Sequence, residues 1–434
     1  MTAFQTYQSL TGKLNYALFL ALLIALPLPR FILQPIAVAW IISWVLECRF
    51  CNKENWRWTN LAIPGILLVV LTLWELVSLL WAPDTHAGLR HIERHWAFVV
   101  LVVVPLFGVN GLYRAEKLLS VLFASCVVSV PLYLFTSYWV WNADAVIWFQ
   151  YELLRPYEFP TFHGFTSLIK LRSYYCPVLL LSILSTPLLY RHYRKRYPKW
   201  EVLFTLGVGV GVLVAGILMT GSRTAILALG VTSIFLVFVT YRKQLRWWWQ
   251  ALIVVVGLSA GIAALVCNPR FSYLTTTDLR NINIAEASEA NEPRFFIWKI
   301  VLSHADDYPF FGLGAGQHCN FLTEQYVASG NDFLVKTNYG THCQYFSYWM
   351  CLGPLAVLFL LAIFYLIPKS FKGTAHYSAH AVAFLYVFLM LSDDMLERMD
   401  SVITFLVWMV MLYVIETTFD KSISASPSPQ SGLE

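Results

Sequence analysis

Along most of this chain, runs of about 15 to 25 apolar residues alternate with short polar segments, the spacing of helices that cross roughly 30 Å of hydrocarbon. The pattern predicts about twelve spans, near 14–29, 31–47, 61–81, 96–109, 118–140, 173–190, 202–219, 224–240, 249–267, 345–367, 376–391 and 401–416. A β-barrel would show shorter segments of alternating polarity, so the expected fold class is an all-α polytopic membrane protein. The first run, Leu14 to Leu28, meets Pro29-Arg30 and a second run without a small-residue cleavage site. It reads as a first transmembrane helix rather than a signal peptide.

One polar stretch breaks the rhythm. Residues 268–344, between the ninth and tenth spans, are too many for a connection and predict a small helical cap. The expected division is residues 1–267 as nine spans, 268–344 as an external loop domain, 345–416 as three further spans and 417–434 as a Ser/Pro-rich disordered tail. Within the loop, Asn291-Glu-Pro293 reads as a helix start, with Asn291 as the cap. A helix from 292 to 305 would bury Phe295, Trp298, Val301 and Leu302 on one stripe. The GLGAG that follows has no preceding strand and no surrounding Rossmann unit, so it is read as turn glycines rather than a nucleotide loop. No internal repeat is visible, which weakens a transporter reading.

Composition agrees with the pattern: 58% of the 434 residues are hydrophobic and 13% charged. The net charge of +5 lies in loops and is explained by topology, with no nucleic-acid partner implied. With the N-terminus cytoplasmic, 17 of the 30 Lys and Arg fall on the cytoplasmic side. Five of the remaining 13 are in the long loop, where the positive-inside rule has little force. Both termini are therefore expected in the cytoplasm and the long loop outside. Of eight cysteines, Cys48 and Cys51 form a lone C-x-x-C without the second pair that zinc would need. Cys126, Cys176 and Cys351 lie in apolar runs, and a disulfide among Cys267, Cys319 and Cys343 stays open.

Candidate chemistry gathers in and beside the loop. Thr341-His-Cys-Gln344 has the form of a capping box, which would make Thr341 the N-cap of the tenth span and His342 its first residue. A helix N-terminus disfavours imidazolium, leaving the ring a neutral proton acceptor; an interfacial histidine bonded only to backbone is the plain alternative. Arg294 in the loop helix and Arg223 in the short MTGSRTA turn before the eighth span are permanent cations at helix starts. Guanidinium forks and free N–H groups there suit an anion such as a lipid-linked pyrophosphate. A snorkelling interfacial cation and a surface charge are the competing readings. Arg90, Arg94, His163 and Arg172 are further candidates for an external substrate cavity. His91 and His95 share the four-residue spacing of a metal pair, but the arginines beside them oppose a cation. Asp393, Asp394 and Glu397 form an acidic patch without a spaced partner, so no metal site is expected. Most of the 17 Trp and 23 Tyr should belong to interfacial belts.

At these residues the chain resembles the O-antigen ligase and polymerase superfamily. The resemblance rests on Ser222-Arg223-Thr224-Ala225 after a span, on Arg294 to Trp298 followed by Pro309 to Gly314, and on a histidine at the loop exit followed by a G-x-x-A/G-type helix, here His342 to Gly353. With the spans and the late external loop it covers nearly the whole length. It implies a GT-C-like glycosyltransferase of the bacterial inner membrane, multi-pass, with its site facing the periplasm. It implies an undecaprenyl-pyrophosphate-linked glycan as donor, a lipid A-core or other glycan as acceptor, no cofactor and no metal, and inversion at the transferred sugar. By resemblance His342 would deprotonate or orient the acceptor hydroxyl, and Arg223 and Arg294 would hold the pyrophosphate. A polymerase joining lipid-linked repeat units, a protein oligosaccharyltransferase and a polytopic membrane transporter remain alternatives. Charges deep in the spans would favour the transporter, and Glu75 is the clearest of the few.

Overall fold

The computed structural model describes residues 3–51, 55–56, 58–142, 172–220, 222–241, 246, 248, 255, 259 and 293–419. Among them, all regular structure is helical. The helices before the cap are α1 (Ala3–Ala25), α2 (Arg30–Leu46), α3 (Ile63–Ser78), α4 (Thr85–Ile92), α5 (Val100–Phe107), α6 (Ala115–Asn142), α7 (Arg172–Tyr193), α8 (Lys199–Met219) and α9 (Arg223–Tyr241). The cap contributes α10 (Pro293–Ser303), α11 (Gln317–Ala328), α12 (Asp332–Thr337) and α13 (Gln344–Leu352). Then come α14 (Pro354–Ser370), α15 (Gly373–Leu389) and α16 (Met399–Val414).

Five stretches among the described residues are long and apolar enough to cross a membrane: Arg30–Cys51, Asn60–Ser78, Ala115–Thr136, Lys199–Met219 and Met399–Thr418. The chain is thus a helical membrane protein. α16 is buried on every side from Ser401 to Leu412 and serves as the central post, as expected of a helix apolar all round. α1 and α2 pack as a pair, with Phe19 against Trp40 at 5.1 Å between ring centroids. Asn15, fully buried there, is satisfied by the Trp40 carbonyl, Ser43 Oγ and Tyr113 Oη, as a polar group in an apolar core must be.

Two predicted spans are divided. The fourth, near 96–109, begins as a 3₁₀ turn over Glu93–Val99 and continues as α5, only eight residues long. The tenth, near 345–367, is two helices, α13 and α14, broken at Gly353. Gly353 has φ +83°, and a Cβ there would lie 1.9 Å from the Phe310 carbonyl oxygen. Gly312, with φ +75°, would place a Cβ 2.3 Å from the Cys351 carbonyl. Two main chains pass here in direct contact, which only glycine permits. Leu313 N and Gly314 N donate to the Met350 and Cys351 carbonyls at 2.8 and 2.9 Å. The glycine loop therefore locks the end of α13. Its other side reaches α3 and α4, where Ala315 N donates to Ser78 Oγ and Gln317 Nε2 to the Asp84 carbonyl.

The cap has an apolar core of its own, formed by Phe296, Ile297, Ile300, Val301, Leu322, Tyr326, Leu334 and Met350. The stripe expected on α10 is turned. Val301 is buried as predicted, but Leu302 is 55% exposed and Phe295 and Trp298 are only partly covered. Nearly every residue from Phe295 to Leu302 is apolar, so periodicity alone could not choose the face. Trp298 instead donates from Nε1 to the Thr341 carbonyl at 2.9 Å, tying α10 to the segment that carries His342. The proposed cap Asn291, the ninth predicted span apart from isolated positions, and most of the external segment 141–172 lie outside the described residues.

Candidate functional site

Four junctions between helices meet at one place: the turn before α9, the first turn of α10, the segment before α13, and the segment 390–398 between α15 and α16. Ser222, Thr224 and Ala225 from the first, Arg294 from the second, and Ser392 and Asp393 from the fourth line one small pocket, with Cys176 and Pro177 of α7. Arg223 opens α9 at this turn; its side chain lies outside the described residues.

Asp393 joins the other parts. Its Oδ2 is 3.9 Å from an Arg294 guanidinium nitrogen, and its Oδ1 is 3.8 Å from His342 Nδ1. Arg294 and His342 are partly accessible, 27% and 26% exposed, while Asp393 between them is largely covered. His342 Nδ1 is itself buried and makes no hydrogen bond. The ring meets Tyr339 edge-on at 5.3 Å.

The next residue, Asp394, holds the loop rather than the ring. It accepts from the His342 backbone N–H at 3.1 Å, from Thr341 Oγ1 at 3.0 Å and from Ser347 Oγ at 2.9 Å. Burial, joined by the charge of Glu397, pushes its carboxyl up to about 6, while the three donors favour the ionised form. Glu397 pairs with His318 at 3.3 Å. Burial opposes charge on both, but their attraction wins: the Glu397 carboxyl is held well below its ordinary range and the His318 imidazolium is favoured, with Cys319 adding to the latter.

The capping box does not form. α13 begins at Gln344 with Cys343 as its N-cap, so His342 lies before the helix rather than in it. The Thr341 hydroxyl is turned to Asp394 and Ser347, and the Gln344 side chain accepts from Leu396 N at 2.7 Å. His342 instead has φ +48°, in the left-handed region. Such conformations cost about 1–3 kcal/mol and persist where surrounding contacts impose them. Here the imposing contact is Asp394 on the His342 N–H.

The remaining candidates separate. Arg90 is exposed and folds back on its own helix, Nε to the His86 carbonyl at 3.4 Å. Arg94 donates to the Glu397 carbonyl at 2.9 Å, which places it at the rear of the acidic segment. His163 lies outside the described residues, as does the side chain of Arg172, whose backbone begins α7. Cys319 and Cys343 are free thiols, and Cys267 is outside the described residues. Burial pushes the Cys343 thiol up to about 11, so it stays protonated. Asp393 and Asp394 were visible in the sequence only as an acidic patch. The signal that marks them is a pair of carboxylates at the exit of an apolar span, facing cations 50 to 100 residues upstream.

Residues 208–361 match the family model described as O-antigen ligase, a stretch that contains Arg223, Arg294 and His342. This match supports the superfamily expected from the motifs. No curated protein matches the chain.

Proposed function

We propose that this protein is an O-antigen ligase that moves a glycan from undecaprenyl pyrophosphate to a sugar hydroxyl of lipid A-core. The match to the O-antigen ligase family supports the reaction class. The observation that carries the reading is the convergence of His342, Asp393, Arg294 and the turn holding Arg223 on one accessible place at helix junctions. In this reading the site faces the periplasm of a bacterial inner membrane, both termini are cytoplasmic, and about twelve spans in a GT-C-like arrangement carry the cap formed by residues 268–344.

The imidazole of His342 takes the proton of the acceptor hydroxyl as its oxygen attacks the anomeric carbon from the face opposite the leaving group. The bond from that carbon to the pyrophosphate oxygen breaks, and the configuration inverts. Arg294 and Arg223 hold the charge that accumulates on the departing undecaprenyl pyrophosphate. That leaving group is already a stable anion, so no general acid is required. Asp393, behind Nδ1, orients the ring and stabilises the imidazolium, as a carboxylate does behind a catalytic histidine elsewhere.

The test is a purified-protein assay with a lipid-linked glycan and lipid A-core. His342→Ala, Arg223→Ala and Arg294→Ala should each lower transfer at unchanged membrane expression; full retention in all three would overturn the proposal. The polymerase reading uses the same residues and is separated by the glycolipids of a deletion strain. Uncapped core with accumulated long lipid-linked chains marks a ligase, and core capped with a single repeat marks a polymerase.

A further inference from the structure

Against the acidic segment, where His95 Nε2 meets the Leu396 carbonyl, lies a second histidine and carboxylate cluster that the proposed transfer reaction does not use. Glu75 near the end of α3, His91 in α4 and His95 in the following 3₁₀ turn are 1%, 4% and 1% exposed. One potential ligand atom from each lies within 4.8 Å of the others. The change from α-helix to 3₁₀ between the histidines sets their rings edge to face, 5.3 Å apart, over the same carboxylate.

The hydrogen bonding of this cluster is incomplete in an informative way. His95 Nε2 faces the Leu396 carbonyl at 2.9 Å, an acceptor only, so that nitrogen carries the proton. In the neutral ring the lone pair is then on Nδ1, which faces Glu75 Oε2 at 2.6 Å. Two acceptors at that distance need a cation between them, either a proton or a metal. The other oxygen, Glu75 Oε1, is buried without a hydrogen-bond partner. His91 Nε2 is 3.9 Å from it, too far to bond. The buried Tyr348 hydroxyl faces Glu75 as a side-chain donor without reaching the geometry of a formed hydrogen bond.

We propose that Glu75, His91 and His95 bind one divalent transition-metal ion of the zinc class, as a structural staple between α3 and the α4 segment. Two imidazoles and a carboxylate suit zinc rather than magnesium or calcium, which take oxygen. Ligand atoms about 2.0–2.1 Å from a tetrahedral ion are about 3.3 Å apart. The separations are 2.6 Å to one Glu75 oxygen and 3.9 Å to the other, on either side of that value, and one ligand atom from each residue lies within 4.8 Å of the others. The Leu396 carbonyl acts as the outer partner that fixes a ligating histidine's tautomer. The arginines that seemed to exclude a cation are engaged elsewhere, Arg90 on the exposed side and Arg94 with the Glu397 carbonyl. The ion sits behind the transfer site and takes no part in the chemistry.

The test uses the full chain in detergent, stripped with chelator and titrated with Co²⁺ and with Zn²⁺. Binding of one Co²⁺ per chain with a visible ligand-field band, displaced by Zn²⁺, is expected. His91→Gln and Glu75→Gln should weaken it at least 100-fold. A wild-type protein that binds no ion and shows no band overturns the proposal and leaves a proton shared by Glu75 and His95. So does a band that persists unchanged in both variants. Should the variants fail to fold, the wild-type titration decides alone.

Discussion

The chain builds two clusters from the same materials, histidines and carboxylates at helix ends, and gives them opposite characters. Around His342 the contacts are loose, 3.8 Å from His342 and 3.9 Å from Arg294 to Asp393, and about a quarter of the His342 and Arg294 side chains is exposed. At His95 the carboxylate is 2.6 Å away and both partners are sealed. Loose, accessible groups can exchange partners with a substrate; a tight buried pair cannot without loss of structure. Access rather than residue type separates the cluster proposed to react from the one proposed to hold.

The sharpest way to break this comparison is to exchange the readouts. His342→Gln should lower transfer by about 10²–10⁴-fold, the range for losing a general base, with little change in thermal midpoint. His95→Gln should do the reverse in kind, destabilising by about 3–5 kcal/mol because Glu75 is left as a buried unpaired charge. Transfer kinetics and thermal unfolding in detergent measure the two. A stable His95→Gln protein would mean that the second cluster holds nothing. Gly353→Ala should cost about 2–5 kcal/mol, since a Cβ in a left-handed position meets backbone that cannot yield. Unfolding midpoint and folded yield report it.

Asp394 sharpens the comparison through pH. Its folded carboxyl titrates at about 6 against an ordinary 3.8, so the folded chain holds the proton more tightly than the unfolded chain. Its contribution to stability is complete below about pH 3.8 and is lost as pH rises through about 6. Glu397, held below its ordinary 4.5, works the other way: its contribution is present above that value and is lost as pH falls. Asp394→Asn should flatten the slope of thermal stability between pH 4 and 6 and cost about 1–3 kcal/mol through the loop bonds. Arg90→Ala should change neither stability nor transfer beyond about 0.5 kcal/mol, because it lies on the exposed side of α4.

Much of the fold could be read from the chain. Runs of apolar residues located α2, α3, α6, α8 and α16, and Pro293 located the start of α10. His342 and Arg294 were singled out by residue type and by position at expected helix starts, and the structure brings both to one carboxylate, although His342 precedes α13 instead of opening it. That carboxylate was not legible, because Asp393 and Asp394 reach the loop across about 50 residues of sequence, and spacing carries no such signal. The capping box at Thr341 failed for the same reason: the helix starts later, at Gln344, whose side chain turns to the distant Leu396 N–H instead of back to Thr341. The break at Gly353 was hidden because Leu352 and Pro354 continue an apolar pattern, and only the approach of Phe310 shows why the helix stops.

That break has a mechanical consequence. α13 is fastened to the glycine loop by two backbone hydrogen bonds, and the direction of α14 is set separately, at the single residue that joins them. The helix that follows His342 is thus anchored by that loop and not only by the apolar helix after it.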